Sequence, residues 1–113
     1  MVESADSARA FLQYVLPGLD GADQAAMDRI AAHYSLDREP EDAHPEPFRQ
    51  PTLHLTARQD DVVGSSGAWD RLEHYPRASS AVLDAAGHNV LVEQLGLCSA
   101  LVADWLARVR QYA

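Results

Sequence analysis

A chain of 113 residues with 17 acidic and 9 basic side chains, formal net charge -8, has the length of one domain. It carries no cluster of Lys and Arg able to displace counterions from nucleic-acid phosphates or to hold an anionic bilayer, which argues against both partners. Hydrophobic residues at 47% and charged residues at 23% are ordinary globular usage and exclude disorder along the whole length.

In chain order, residues 4–16 place Ala8, Phe11, Leu12, Val15 and Leu16 at helical spacing. Ser4 or Asp6 serves as the cap, and Pro17-Gly18 is expected to end the helix. A second helix is predicted over 21–34, capped by Asp20 and striped by Met27, Ile30, Ala31 and Tyr34. Residues 1–36 therefore read as a helical hairpin. Residues 37–50 hold five carboxylates together with Pro40, Pro45 and Pro47, and read as an acidic, solvated linker.

From residue 51 to 113 the texture is strand, helix, strand, helix. The strands are predicted at 52–57 and 80–84, with a loop at 58–66 and a helix over 67–75 that turns Trp69 and Leu72 inward before Pro76. A turn spans 85–89. The last helix, from about 95 to 110, has the apolar stripe Leu97, Leu101, Val102, Trp105, Leu106 and Val109. This order implies an α/β fold with two parallel strands and a right-handed crossover. Such a pair leaves two unpaired edges, so association is expected rather than a stable monomer.

Ligands of parallel sheets bind beyond the carboxyl ends of the strands. Arg58-Gln59-Asp60-Asp61 follows the first strand and Gly87-His88-Asn89 the second. Asp60 and His88 are thereby brought side by side, where a carboxylate can fix the tautomer of an imidazole that accepts a proton from a nucleophile. The blander readings are an Asx turn at Asp60 and a structural turn histidine at His88.

The segment Pro51-Thr52-Leu53-His54-Leu55-Thr56-Ala57-Arg58-Gln59-Asp60-Asp61-Val62-Val63-Gly64 resembles the stretch of α/β hydrolases that ends in the triad acid. Ala85-Ala86-Gly87-His88-Asn89, with Glu93 downstream, is similar to the stretch around that family's triad histidine. The order acid then histidine agrees with the family's order. The resemblance covers about 51–110, and residues 1–36 resemble the end of the family's helical cap. Ala57, Gly64 and Leu95 depart from the family's Gly, Pro and Pro, which affects loop geometry only.

The resemblance implies a partial α/β-hydrolase sheet that acts on an ester-like bond of a small molecule. Asp60, rather than Asp61, is the orienting acid, because one variable residue and then Val62-Val63 follow it; His88 is the general base. No Gly-x-Ser-x-Gly elbow occurs, and Gly64-Ser65-Ser66-Gly67 has the wrong spacing. The chain alone is therefore expected to be inactive, with the missing N-terminal half or another copy of itself as partner. The alternative is a non-catalytic interaction or oligomerisation module derived from a truncated hydrolase.

The remaining candidates have plainer roles. Glu93 is expected to support the start of the last helix through its dipole. Trp69 and Trp105 are expected in the core. Cys98, the single cysteine, excludes an intramolecular disulfide and has no cation placed to activate it. His33, His44, His54 and His74 lack metal-ligand spacing, so neither a metal nor a cofactor is expected. No leader-like segment and no membrane-length apolar run is visible, which points to the cytoplasm.

Overall fold

The computed structural model describes residues 1–112. The first helix, α1 (Ala5–Ala10), starts where Ser4 Oγ accepts the Ser7 amide at 3.0 Å. It does not stop at Pro17. A π-helical turn, Phe11–Val15, leads into α2 (Leu16–Asp20), which holds Pro17 in its first turn. The ring falls where the wider turn has already shifted the hydrogen-bond ladder, the Leu16 amide donating to the Phe11 carbonyl. The next helix, α3 (Gln24–Ala32), is capped by Asp23 rather than Asp20: the Asp23 carboxylate accepts the Ala26 amide at 3.0 Å.

The expected hairpin does not close. α1 packs on α5 (Val90–Glu93), whereas α3 is exposed along its length apart from half-buried Ala26. Nor is the 37–50 segment a free connector. Pro40 starts a single turn, α4 (Pro40–Ala43), and Glu41 Oε1 accepts the Tyr75 hydroxyl at 2.7 Å. The Phe48 amide donates to the His74 carbonyl at 2.8 Å, and the Phe48 ring meets Tyr75 edge-on.

The sheet is mixed in setting but simple in itself: β1 (Thr52–Ala57) and β2 (Ala78–Leu83) pair in parallel, from Thr52↔Ala78 to Ala57↔Leu83. β-Branched Thr and Val with alternating Leu suit this pleated surface. The connection carries a 3₁₀ helix, Trp69–His74, in place of the expected α-helix, and Trp69 lies 54% exposed rather than in the core. Leu72 of the same segment is half-buried, and Tyr75 just past its end packs edge-on against His54 of β1.

The last helix, α6 (Leu95–Tyr112), lies against β1. Trp105 Nε1 donates to the Pro51 carbonyl at 2.9 Å, and Arg108 reaches the Arg77 and Thr52 carbonyls at 3.4 and 3.5 Å. Arg77 in turn sits 3.5 Å over the Tyr112 ring. The buried residues are few and mostly small: Ser7 on α1, Pro51 before β1, Ala57 at its end, Ala86 and Gly87 in the loop after β2, and Cys98 on α6. No helix among the described residues is long and apolar enough to cross a membrane.

Candidate active site

The loop after β1 turns at once, the Asp60 amide donating to the Ala57 carbonyl at 3.3 Å. The two oxygens of Asp60 then divide their work. Oδ1 accepts the amides of Val62 and Val63 at 2.9 and 3.2 Å, an Asx-type turn. Oδ2 lies 3.2 Å from Nδ1 of His88. The turn reading and the pairing with His88 thus coexist on one side chain. Burial pushes the Asp60 carboxyl up, yet the two amides and His88 together hold it below its ordinary value.

The loop after β2 is bent by Ala85, whose φ of 52° lies in the left-handed region. An alanine there costs about 1 kcal/mol and persists only when its surroundings hold it. Gln94 does so, donating from Nε2 to the carbonyls of Asp84 and Ala85 at 3.0 and 3.2 Å. Ala86 is fully buried, and His88 emerges two residues later with its side chain 49% exposed, against 8% for Asp60.

Gln59 clasps the two loops together. Its amide donates to the Ala86 carbonyl at 3.0 Å, its Oε1 accepts the Ala86 amide at 3.2 Å, and its Nε2 donates to Asp84 Oδ1 at 2.7 Å. The sequence places Gln59 in the acid loop without marking a role for it. Its position next to Asp60 was the only signal. The hydrogen bond from Gln59 also holds the Asp84 carboxyl below its ordinary value, helped by the Ala85 amide.

Glu93 departs from expectation. It does not serve the start of α6. Its Oε2 accepts the Gly87 amide at 2.9 Å, and its Oε1 accepts the Val2 amide at 2.6 Å and faces the Ser7 hydroxyl at 3.5 Å. One carboxylate therefore pins the residue before His88 to the amino-terminal segment. Gly87 lets the segments cross closely, because an added Cβ would meet the Met1 nitrogen at 3.0 Å and the Gln59 carbonyl at 3.2 Å.

His88 and Asp60 form the arrangement in which an Nδ1–H donor engages a carboxylate and leaves Nε2 with its lone pair. Among the described residues no hydrogen bond engages Nε2, and no serine hydroxyl bonds to the ring. An apolar groove of about 540 Å³ opens next to Asn89, between Val2, Phe11 and Leu12. Asp61 resolves no bond to His88, and Cys98 is buried with its thiol donating to the Val90 carbonyl at 3.5 Å. Burial raises the Cys98 thiol above its ordinary value, only partly offset by a backbone hydrogen bond. His54 packs edge-on against Tyr75, 5.0 Å between ring centres. Among the described residues no group of three or more His, Cys, Asp or Glu side chains is gathered to hold a metal.

The fold and the dyad define a mixed α/β chain with two parallel strands and an Asp–His pair beyond their carboxyl ends. No family model, no curated protein and no solved structure matches it.

Proposed function

We propose that this chain supplies the acid and the general base of an α/β-hydrolase-type enzyme that cleaves an ester-like bond in a small molecule, with a serine from outside these residues as nucleophile. The observation that carries the reading is the Asp60 Oδ2 to His88 Nδ1 distance of 3.2 Å, with the other Asp60 oxygen locked by two loop amides. A carboxylate fixed in this way orients the ring and stabilises the imidazolium that forms as Nε2 takes the nucleophile's proton. The same Nε2 then returns that proton to the leaving group. The half-exposed ring leaves room for a nucleophile to approach, and the apolar groove beside Asn89 is the place for the acyl or alcohol part of a substrate.

Hydrolysis by the chain alone is not expected, since neither an elbow serine nor its oxyanion donors are present in the sequence. The test is to read the DNA next to this coding sequence for an in-frame Gly-x-Ser-x-Gly polypeptide, co-express it with the chain, and assay a panel of small esters. Turnover should fall about 10⁴-fold with Asp60→Asn, as it does when a triad acid is replaced in serine proteases, and further with His88→Ala. Ester hydrolysis indifferent to His88→Ala rules the reading out.

A second reading, a non-catalytic association module, is favoured by the amount of apolar surface the chain leaves open.

A further inference from the structure

A folded monomer of 12.4 kDa is expected to expose roughly 6,100 Å² on the size scaling of globular proteins. This chain exposes 8345 Å², an excess of about 2,200 Å² over that scaling. Its radius of gyration, 16.4 Å, also exceeds the roughly 13 Å expected at this length. Two apolar surfaces stand out within the excess. One is the stripe of α3, where Met27 and Ile30 are 49% and 56% exposed and Tyr34, just past the helix end, is 82% exposed. The other is a groove of about 440 Å³ between the amino end of β1 and α6, lined by Phe48, Pro51, Leu53, Val102, Trp105 and Val109.

We propose that two copies of this chain form a reciprocal dimer in which α3 of each seats in the β1–α6 groove of the other. Met27, Ile30 and Ala31 stand at i, i+3 and i+4 within α3, the spacing of helices that bind in grooves, and Tyr34 follows just past the helix end. Asp28 and Arg29 fall off that stripe, at about 100° and 200° from Met27 around the helix. The groove lining is likewise uncharged. Lengths agree as well. The nine residues of α3 rise about 13.5 Å, and Val102 to Val109 along α6 span about 10.5 Å.

A second copy is the occupant because each chain carries both this stripe and this groove. A two-fold axis therefore satisfies all four surfaces and closes the assembly at two. The excess of about 2,200 Å² on each chain is larger than the roughly 800 Å² per partner that a specific interface of standard size buries. The groove lies at the amino end of β1, while Asp60 and His88 lie beyond the carboxyl end, one strand length of about 20 Å away. The dimer leaves His88 open, and the inference stands apart from the chemistry proposed for the dyad. The net charge of -8 on each copy opposes approach but is screened beyond about 8 Å at physiological salt.

Sedimentation and light scattering of the full chain at micromolar concentration should give a dimer. Because Met27 and Ile30 are exposed in the single chain, the Met27→Glu/Ile30→Glu variant should keep its circular dichroism. It should also weaken association about 100-fold or more. Mixing an Ile30→Cys chain with a Val109→Cys chain, both in a Cys98→Ala background, should give a disulfide-linked pair under mild oxidation that neither gives alone. A monomer at about 100 μM, a dimer indifferent to the α3 substitutions, or assembly beyond two copies each overturns the proposal; those concentrations bracket the affinity of a stable interface.

Discussion

Replacing Gly87 by alanine tests whether the two loops are held apart by design at a single backbone crossing. The new Cβ would lie 3.0 Å from the Met1 nitrogen, 3.1 Å from the Met1 Cα and 3.2 Å from the Gln59 carbonyl oxygen. Ordinary contact needs about 3.5 Å or more, so one neighbour must give by several tenths of an ångström. Met1 can swing away. Gln59 cannot do so freely, because its amide and side chain hold Ala86 and Asp84 through three hydrogen bonds. Overpacking of this kind costs about 1–3 kcal/mol, which lowers the melting temperature of a chain this size by about 4–15 °C. The effect on the dyad is sharper. The Nδ1–Oδ2 separation, 3.2 Å, already stands at the long end of hydrogen bonding, and any widening breaks it. Thermal melts by circular dichroism read the first effect, and the ¹⁵N shifts of the His88 ring read the loss of its Nδ1–H tautomer. Gly18→Ala is the control: it lies in α2 with nothing within 4 Å of the added carbon. That change should leave stability equal or higher by about 0.5–1 kcal/mol. A Gly87→Ala chain that melts with the wild type and keeps its Nδ1–H signal refutes the reasoning.

Acid should destabilise the chain through Asp60, Asp84 and Glu41, whose carboxyls are all held below their ordinary values. A depressed folded pKa means that the stabilisation is complete above the unfolded value of about 4 and drains away as pH falls through the folded values. Urea unfolding between about pH 5 and 2.5 should show this slope, and Asp60→Asn should flatten it; a wild type with no slope contradicts the assignment. Cys98, buried and with its thiol pKa raised by burial, should react with a thiol reagent only as fast as the chain unfolds. Immediate labelling under native conditions argues against that burial.

The strands were readable because Thr52-Leu53-His54-Leu55-Thr56-Ala57 alternates within a β-prone run, and the structure bounds that strand at the same residues. Parallel pairing then follows from the intervening helical segment, and it brings Asp60 and His88 together without further assumption. What stayed hidden depends on contacts between segments remote in sequence. Periodicity reports that the Met27–Ile30 stripe is apolar, but not whether anything covers it, and here nothing among the described residues does. Trp69 shows the same gap, since its inward placement presumed an α-helix where a tighter 3₁₀ turn forms. The role of Glu93 is hidden for a related reason. Its place before a long helix favoured a dipole effect, while its partners lie at Val2, Ser7 and Gly87. Pro17 reads as a stop in the sequence, because the π turn through which the helix runs on leaves no mark in composition.

The carboxylate of Glu93 also sets an order of events. Its bond to Gly87 spans six residues, whereas its bond to Val2 closes a loop of 91. Closing so long a loop costs about 4 kcal/mol of chain entropy on the logarithmic scaling, and nothing local repays it before the ends meet. The strand pair and α6 can therefore condense early on contacts closer in sequence, with Gly87 already on its acceptor. The amino-terminal helix arrives afterwards and occupies the second oxygen. The turn that carries His88 then reaches its final rigidity only when a segment 91 residues away from Glu93 docks on it, so the loop should remain the most mobile part of the sheet's carboxyl end until that late step is complete.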